Sequence, residues 1–176
     1  MTPTAPETPK ADLYPRSARK APSAKLQSGQ HAYAIPRYRV MLVKEGLAHA
    51  SPVRISDSQT AYRFLEPLFD GLDREHFLVV GLDAKHAVIG ITTVSIGSVT
   101  LSIVHPREVF KPAILMNASA VLLAHNHPSG DSTPSPEDRA LTRRLKEGGD
   151  LPGTAVLDHL VLGESRYYSF ADHGAL

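Results

Sequence analysis

The sequence predicts an α/β domain built as a mixed β-sheet flanked by helices. Three observations lead there. Short β-rich runs recur along the chain, stretches of helical apolar spacing alternate with them, and one run, 120-AVLLAH-125, is apolar from end to end. A continuous apolar run is what a strand buried on both faces requires. With 176 residues the chain can bury one good core but is short for two. The domain is expected over 36–176, behind a Pro-rich basic tail at 1–35.

The elements follow in order. The tail holds Pro3, Pro6, Pro9, Pro15 and Pro22 without apolar periodicity, the composition of a disordered spacer. The first β-rich run is 38-YRVMLV-43. Next, 56-SDSQ-59 sets Ser56 and Gln59 at capping-box spacing before a helix over 60–71. Strands are expected over 76–83, 86–95 and 99–104, the first two joined by the hairpin connection Asp83-Ala84-Lys85. Pro106 opens a helix predicted over 106–119, with apolar Val109, Phe110, Ala113, Ile114 and Leu115 and an irregularity at Pro112. The apolar strand over 120–125 is followed by the turn 128-PSGDSTP-134. A further helix has Ser135 as N-cap, Pro136 at its first position and acidic Glu137 and Asp138, and it stops at Gly148-Gly149. Strands over 154–163 and 167–170 complete the domain.

Composition removes several function classes. There is no cysteine, which excludes disulfides, thiolate-ligated zinc, iron–sulfur clusters and thiol nucleophiles. A transition-metal site would have to be built from His and carboxylates. No apolar stretch approaches the roughly 20 residues of a membrane span, and the N-terminus has no signal-peptide core. A protein of the cytoplasm with no membrane partner is expected. Net charge is +1, unevenly spread: residues 1–30 carry Lys10, Arg16, Arg19, Lys20 and Lys25 against Glu7 and Asp12, so the tail is +3 and the remainder −2. That balance weakens a nucleic-acid reading of the domain.

The chemistry gathers in 125-HNHPSGDSTPSPED-138. Alternate residues of an extended chain point the same way, so His125 and His127 can offer two imidazoles to one ion. Asp138, on the first turn of the helix beyond the turn, can return as a third ligand. Two His, one carboxylate and an open fourth position form the inventory of a catalytic zinc site. Each residue alone has a plainer role: a strand-end His, a capping Ser135, an Asp138 placed for the helix dipole. It is their combination that points to a metal. Hydrolysis would also need a base, for which Glu75 and Glu108 both qualify by chemistry, and spacing does not choose between them. No His-Glu-x-x-His helix is present, and a zinc deaminase would need cysteines. The contiguous letters His125-Asn126-His127 do not make an HNH nuclease, whose residues are scattered over a ββα unit.

The pattern from His125 to Asp138 resembles the JAMM (MPN+) metalloprotease motif. The phrases 104-VHPREVFKPA-113, 125-HNHPSGDSTPSPED-138, 141-LTRRLKEGG-149, 157-LDHLVLG-163 and 168-YSF-170 resemble the RadC family over about 38–176. The resemblance implies a cytidine-deaminase-like JAMM/MPN fold and one Zn2+ held by His125, His127 and Asp138. It also implies Glu75 as the base, from the context 74-REHFLVVGLD-83, and Ser135 as a stabiliser of the oxyanion. Long members of the family carry a helix-hairpin-helix region upstream of this domain; here a Pro-rich tail is expected in its place.

The leading expectation is a zinc hydrolase acting on a peptide or isopeptide. The alternative is a DNA-associated accessory protein of repair, recombination or a mobile element, its domain a binding module or phosphodiester hydrolase. His105, as cleft residue or helix cap, and Asp158 and His159, as core or site residues, stay open.

Overall fold

Strands β1 (Glu75–Leu82) and β3 (Ala120–Asn126) set the plan of the molecule, because both are apolar on both faces. In the computed structural model, which describes residues 42–43, 46, 53–97 and 104–176, they lie side by side and antiparallel. Leu78, Val80, Leu82, Leu122 and Ala124 point to one face, where α1 (Ser58–Phe69) covers them with Tyr62, Phe64, Leu65 and Phe69. Phe77, Val79, Val121 and Leu123 point to the other, against Val109, Phe110 and Ala113 of α2 (Pro106–Leu115) and Leu145 of α3 (Pro136–Asp150). The period-2 alternation of each strand thus feeds two cores at once.

Three more strands, β2 (Val88–Gly97), β4 (Ala155–Gly163) and β5 (Arg166–Ser169), complete a five-stranded sheet among the described residues, in the order β2-β1-β3-β4-β5. Only β3 and β4 are parallel. Their connection is α3, the crossover that a parallel pair needs. The fold is therefore the mixed α/β sheet with flanking helices that the sequence predicts, grouped as one compact unit over Val40–Leu176. The tail at 1–35, the run over 38–43 apart from Leu42 and Val43, and the strand expected over 99–104 apart from Val104 lie outside the described residues.

Several boundaries differ for local reasons. The cap of α1 is Asp57, not Ser56: its Oδ1 accepts the Thr60 N–H at 2.6 Å, and Ser56 Oγ donates to its Oδ2 at 2.8 Å. Strand β2 begins two residues later than predicted because Asp83 Oδ1 accepts the N–H groups of Lys85 and Ala87, both at 2.8 Å, closing a turn with His86 at positive φ. Helix α2 stops at Leu115, where Asn117 turns left-handed and Ala118 N–H returns to the Ala113 carbonyl. Helix α3 runs through Gly148 and Gly149, which mark a close approach. A Cβ on Gly149 would lie 2.5 Å from the Thr154 carbonyl oxygen and 3.2 Å from Phe110.

Candidate metal centre

The parallel β3–α3–β4 unit brings the carboxyl end of β3 next to the amino end of α3. His125, fully buried, is on the α3 side of the sheet, paired across from Phe77 of β1, and its ring stacks on Phe77 at 6.0 Å between centroids. His127 lies just past the strand end, anchored by its backbone N–H on the Leu162 carbonyl and by its Nδ1, which donates to the Asp131 carbonyl at 2.6 Å. Asp138 is the third residue of α3. There a full capping box forms: Ser135 Oγ accepts the Asp138 N–H at 3.0 Å, and Asp138 Oδ2 accepts the Ser135 N–H at 2.8 Å.

Three donor atoms converge from these elements. His125 Nε2 and His127 Nε2 are 3.1 Å apart, Asp138 Oδ1 is 3.3 Å from the first and Oδ2 is 3.5 Å from the second. Ligand atoms of all three residues lie within 4.8 Å of one another. With the Nδ1 proton of His127 given to a carbonyl, its Nε2 presents a lone pair, and the carboxylate oxygens present only lone pairs. A cluster of electron pairs in a partly buried place is stable when a cation occupies it, so the donor set suits a divalent metal ion.

The protonation preferences agree. Burial by itself raises the pKa of Asp138, but hydrogen bonds with His125 and His127 outweigh it and hold the carboxylate well below its usual range. The bond to Asp138 raises His127 above the ordinary imidazole value, against the opposing effect of burial, and the charge of Glu75 acts in the same direction.

Of the remaining predicted residues, Ser135 is directly joined to the site, its Oγ–H donating to Asp138 Oδ2 at 2.7 Å. Glu75 opens β1, half-buried, with no side-chain hydrogen bond or ion pair among the described residues. Glu108 is exposed on α2 and ion-paired with Lys111 at 2.8 Å. His105 caps α2, its Nδ1 accepting the Arg107 N–H at 3.2 Å. Asp158 braces the chain end: it accepts from Ser169 Oγ at 2.6 Å, His159 N–H at 2.7 Å and Ala171 N–H at 2.9 Å, while burial raises its pKa.

Sequence reasoning misses two contacts. Asn126, between the two histidines, accepts the His76 N–H on Oδ1 at 2.8 Å and donates from Nδ2 to the Arg74 carbonyl at 3.1 Å. It therefore grips the backbone on both sides of Glu75. His159, fully buried, has its Nε2 2.8 Å from His125 Nδ1 and its Nδ1 2.7 Å from Thr142 Oγ1. Burial holds His159 well below the usual imidazole pKa. Neither pairing leaves a local signal, because the partners are 50 or more and 34 residues apart.

Beside His127 a cleft of about 690 Å³ opens between the end of α1, the loop after β3 and the β4–β5 turn. Its lining includes Asn126, His127 and Gly130 together with Glu66, Asp70 and Glu164. His127 is the donor-cluster residue that borders this cleft, and the charged side chains along its wall are acidic.

Known proteins carry the same domain. The "UPF0758 protein" of Desulfitobacterium hafniense strain DSM 10664 / DCB-2 is 50% identical over 125 residues, covering 71% of this chain and 55% of that protein. A UPF0758 protein of Symbiobacterium thermophilum is 51% identical over 132 residues, covering 73% and 56%. One from Methanococcoides burtonii is 45% identical over 121 residues, covering 69% and 53%. The chain spans about half the length of these curated relatives. A model of the RadC-like JAB domain matches residues 55–175, with every residue of the donor cluster inside it. On that match, which extends over most of its length, the chain belongs to the RadC-like JAB domain family.

Proposed function

We propose that this domain is a zinc-dependent hydrolase that cleaves an amide or isopeptide bond in a peptide substrate. The observation that carries the reading is the convergence of His125 Nε2, His127 Nε2 and the Asp138 carboxylate beside an open cleft. Three protein ligands of this kind leave a further position for water or substrate, as catalytic zinc sites do. A zinc ion there would supply Lewis acidity, making a water a nucleophile near neutral pH and polarising a carbonyl.

The chain's own residues supply the rest. Glu75 takes a proton from the attacking water and returns it to the leaving amine, so that peptide plus water becomes acid plus amine. Its carboxylate suits that work because no hydrogen bond or ion pair among the described residues occupies it. Ser135 supports the oxyanion by turning its hydroxyl from Asp138 Oδ2 toward the substrate oxygen. Asn126 holds the start of β1, and with it Glu75, at a fixed place relative to the strand that bears both histidines. The acidic wall of Glu66, Asp70 and Glu164 repels a phosphodiester backbone and favours a neutral or cationic peptide, which sets the hydrolase reading above the nucleic-acid one. No described helix is long and apolar enough to cross a membrane, and we place the activity in the cytoplasm.

The test has two steps. Purified protein should hold one zinc per chain and His127→Ala should lose it; wild-type protein without stoichiometric zinc sinks the reading. On a panel of peptide, isopeptide and nucleic-acid substrates, Glu75→Gln should keep its zinc and lose turnover. Unchanged turnover removes Glu75 from the mechanism, and turnover of nucleic acid alone replaces the substrate class.

A further inference from the structure

The hydrogen bonds behind His125 form a directed chain whose protons can be counted. Thr142, one turn after Asp138 on α3 and fully buried, has a single hydroxyl proton, and it goes to the Asp138 backbone carbonyl at 2.6 Å. Toward His159 Nδ1, 2.7 Å away, Thr142 Oγ1 is therefore an acceptor, and that nitrogen bears hydrogen. The His159 ring stacks on Phe170 at 5.1 Å, lies 5.3 Å from Phe77, and has no carboxylate on either nitrogen. Burial between two aromatic rings, with no carboxylate bonded to the imidazole among the described residues, favours the neutral ring, whose Nε2 keeps its lone pair. The proton in the 2.8 Å contact with His125 Nδ1 then belongs to His125. A neutral His125 that spends its one ring proton on that contact has a bare Nε2 facing Asp138 and His127.

We propose that His159 and Thr142 are positioning residues that lock His125 in its Nδ1–H form and so set the affinity of the site for a divalent cation. The idea rests on the metal centre proposed above and adds a device to it. The two exposed-side ligands are oriented by their own neighbours, His127 by the Asp131 carbonyl and Asp138 by Ser135. Among the described residues His125, in the core, has no backbone carbonyl on its ring, and β4 supplies a histidine instead. The chain closes on itself, since its far end is the carbonyl of the ligand Asp138. A shift of α3 that moves the Asp138 carboxylate would also loosen the partner of His125.

The experiment reads proton position and metal affinity, and needs no substrate. Long-range 1H–15N spectra of the full chain at pH 8 should show His125 and His159 as Nδ1–H forms before any metal is added. Zinc affinity, measured by chelator competition, should fall about 10- to 100-fold in Thr142→Val, which keeps the shape and removes the hydroxyl. Thr142→Ser should restore it to near the wild-type value. Wild-type protein that binds zinc, with Thr142→Val within twofold of it or with His125 found as Nε2–H, overturns this proposal and leaves the metal centre standing. Wild-type protein that binds no zinc overturns both. Should Thr142→Val fail to fold, the wild-type spectrum decides alone.

Discussion

Asn126→Ala tests whether the strand that bears the candidate metal ligands and the proposed base are mechanically joined. The amide of Asn126 continues the β1–β3 ladder beyond its last backbone pair, Phe77 with His125, by bonding the His76 N–H at 2.8 Å and the Arg74 carbonyl at 3.1 Å. Asn126 is 7% exposed, so water only partly replaces what alanine removes. Each lost hydrogen bond is worth about 0.5–1.5 kcal/mol, and an amide left without a partner costs more. A loss of about 2 kcal/mol follows, a factor of about 30 in the folded-to-unfolded ratio. Urea denaturation of the metal-free protein should show it as a lower midpoint at unchanged slope. Zinc stoichiometry should persist, because both imidazoles keep their anchors, while turnover falls as Glu75 loses its fixed place. Asn126→Asp should retain the His76 bond but face the Arg74 carbonyl with a second acceptor, and so lose comparable stability. A midpoint shift worth under about 0.5 kcal/mol, or full turnover in the alanine variant, would refute the reasoning.

Two further outcomes follow from the same geometry. The pKa of His127 is raised in the fold, so its pairing with Asp138 stabilises the metal-free protein below about pH 6.5 and is lost as pH rises through the folded value. His159, held neutral by burial, acts with the opposite sign, so the difference between variants is the clean readout. The destabilisation caused by His127→Ala, measured by thermal unfolding without metal, should be larger at pH 6 than at pH 8.5; equal values at both contradict the pairing. Gly149→Ala should destabilise by about 1–3 kcal/mol through overpacking against Thr154 and Phe110, although alanine is the better helix former by about 1 kcal/mol. A more stable variant in urea would show that the close approach is not what the glycine serves.

The parts of the site that were legible in the sequence are those whose geometry is local. His125 and His127 share a side because the backbone is extended, and Asp138 returns to them because Ser135 caps a helix that begins at Pro136. Each of these is decided within a few residues. The strands and helices were readable on the same grounds, and the boundary errors arose where a neighbouring side chain competed for the same backbone group, as Asp57 does with Ser56. What could not be read was pairing across the sheet. The contacts of His159 with His125 and of Asn126 with Arg74 and His76 exist because β4 and β1 flank β3, and strand order is not a local property. His159 stood out as a polar residue in an apolar strand, yet only the register of β4 beside β3 gives it a partner.

Ser135 shows how closely the structural and chemical roles are bound together. Its oxygen caps α3 by accepting the Asp138 N–H, and its one proton goes to Asp138 Oδ2, which also accepts the Ser135 N–H. The carboxylate is therefore divided: Oδ2 is shared between the cap and His127, and Oδ1 is presented to His125. The helix start is then what aims the candidate ligand, and losing the capping hydroxyl would re-aim it. For Ser135 to serve an oxyanion, its proton must leave Oδ2 while its lone pair keeps the helix capped. A hydroxyl can do this by rotating about one bond, because the proton moves and the oxygen stays. An alanine would lose cap, aim and donor together, and a threonine keeps all three. The pairing of serine with aspartate three residues on thus makes a helix N-terminus into a ligand mount whose proton remains free to turn.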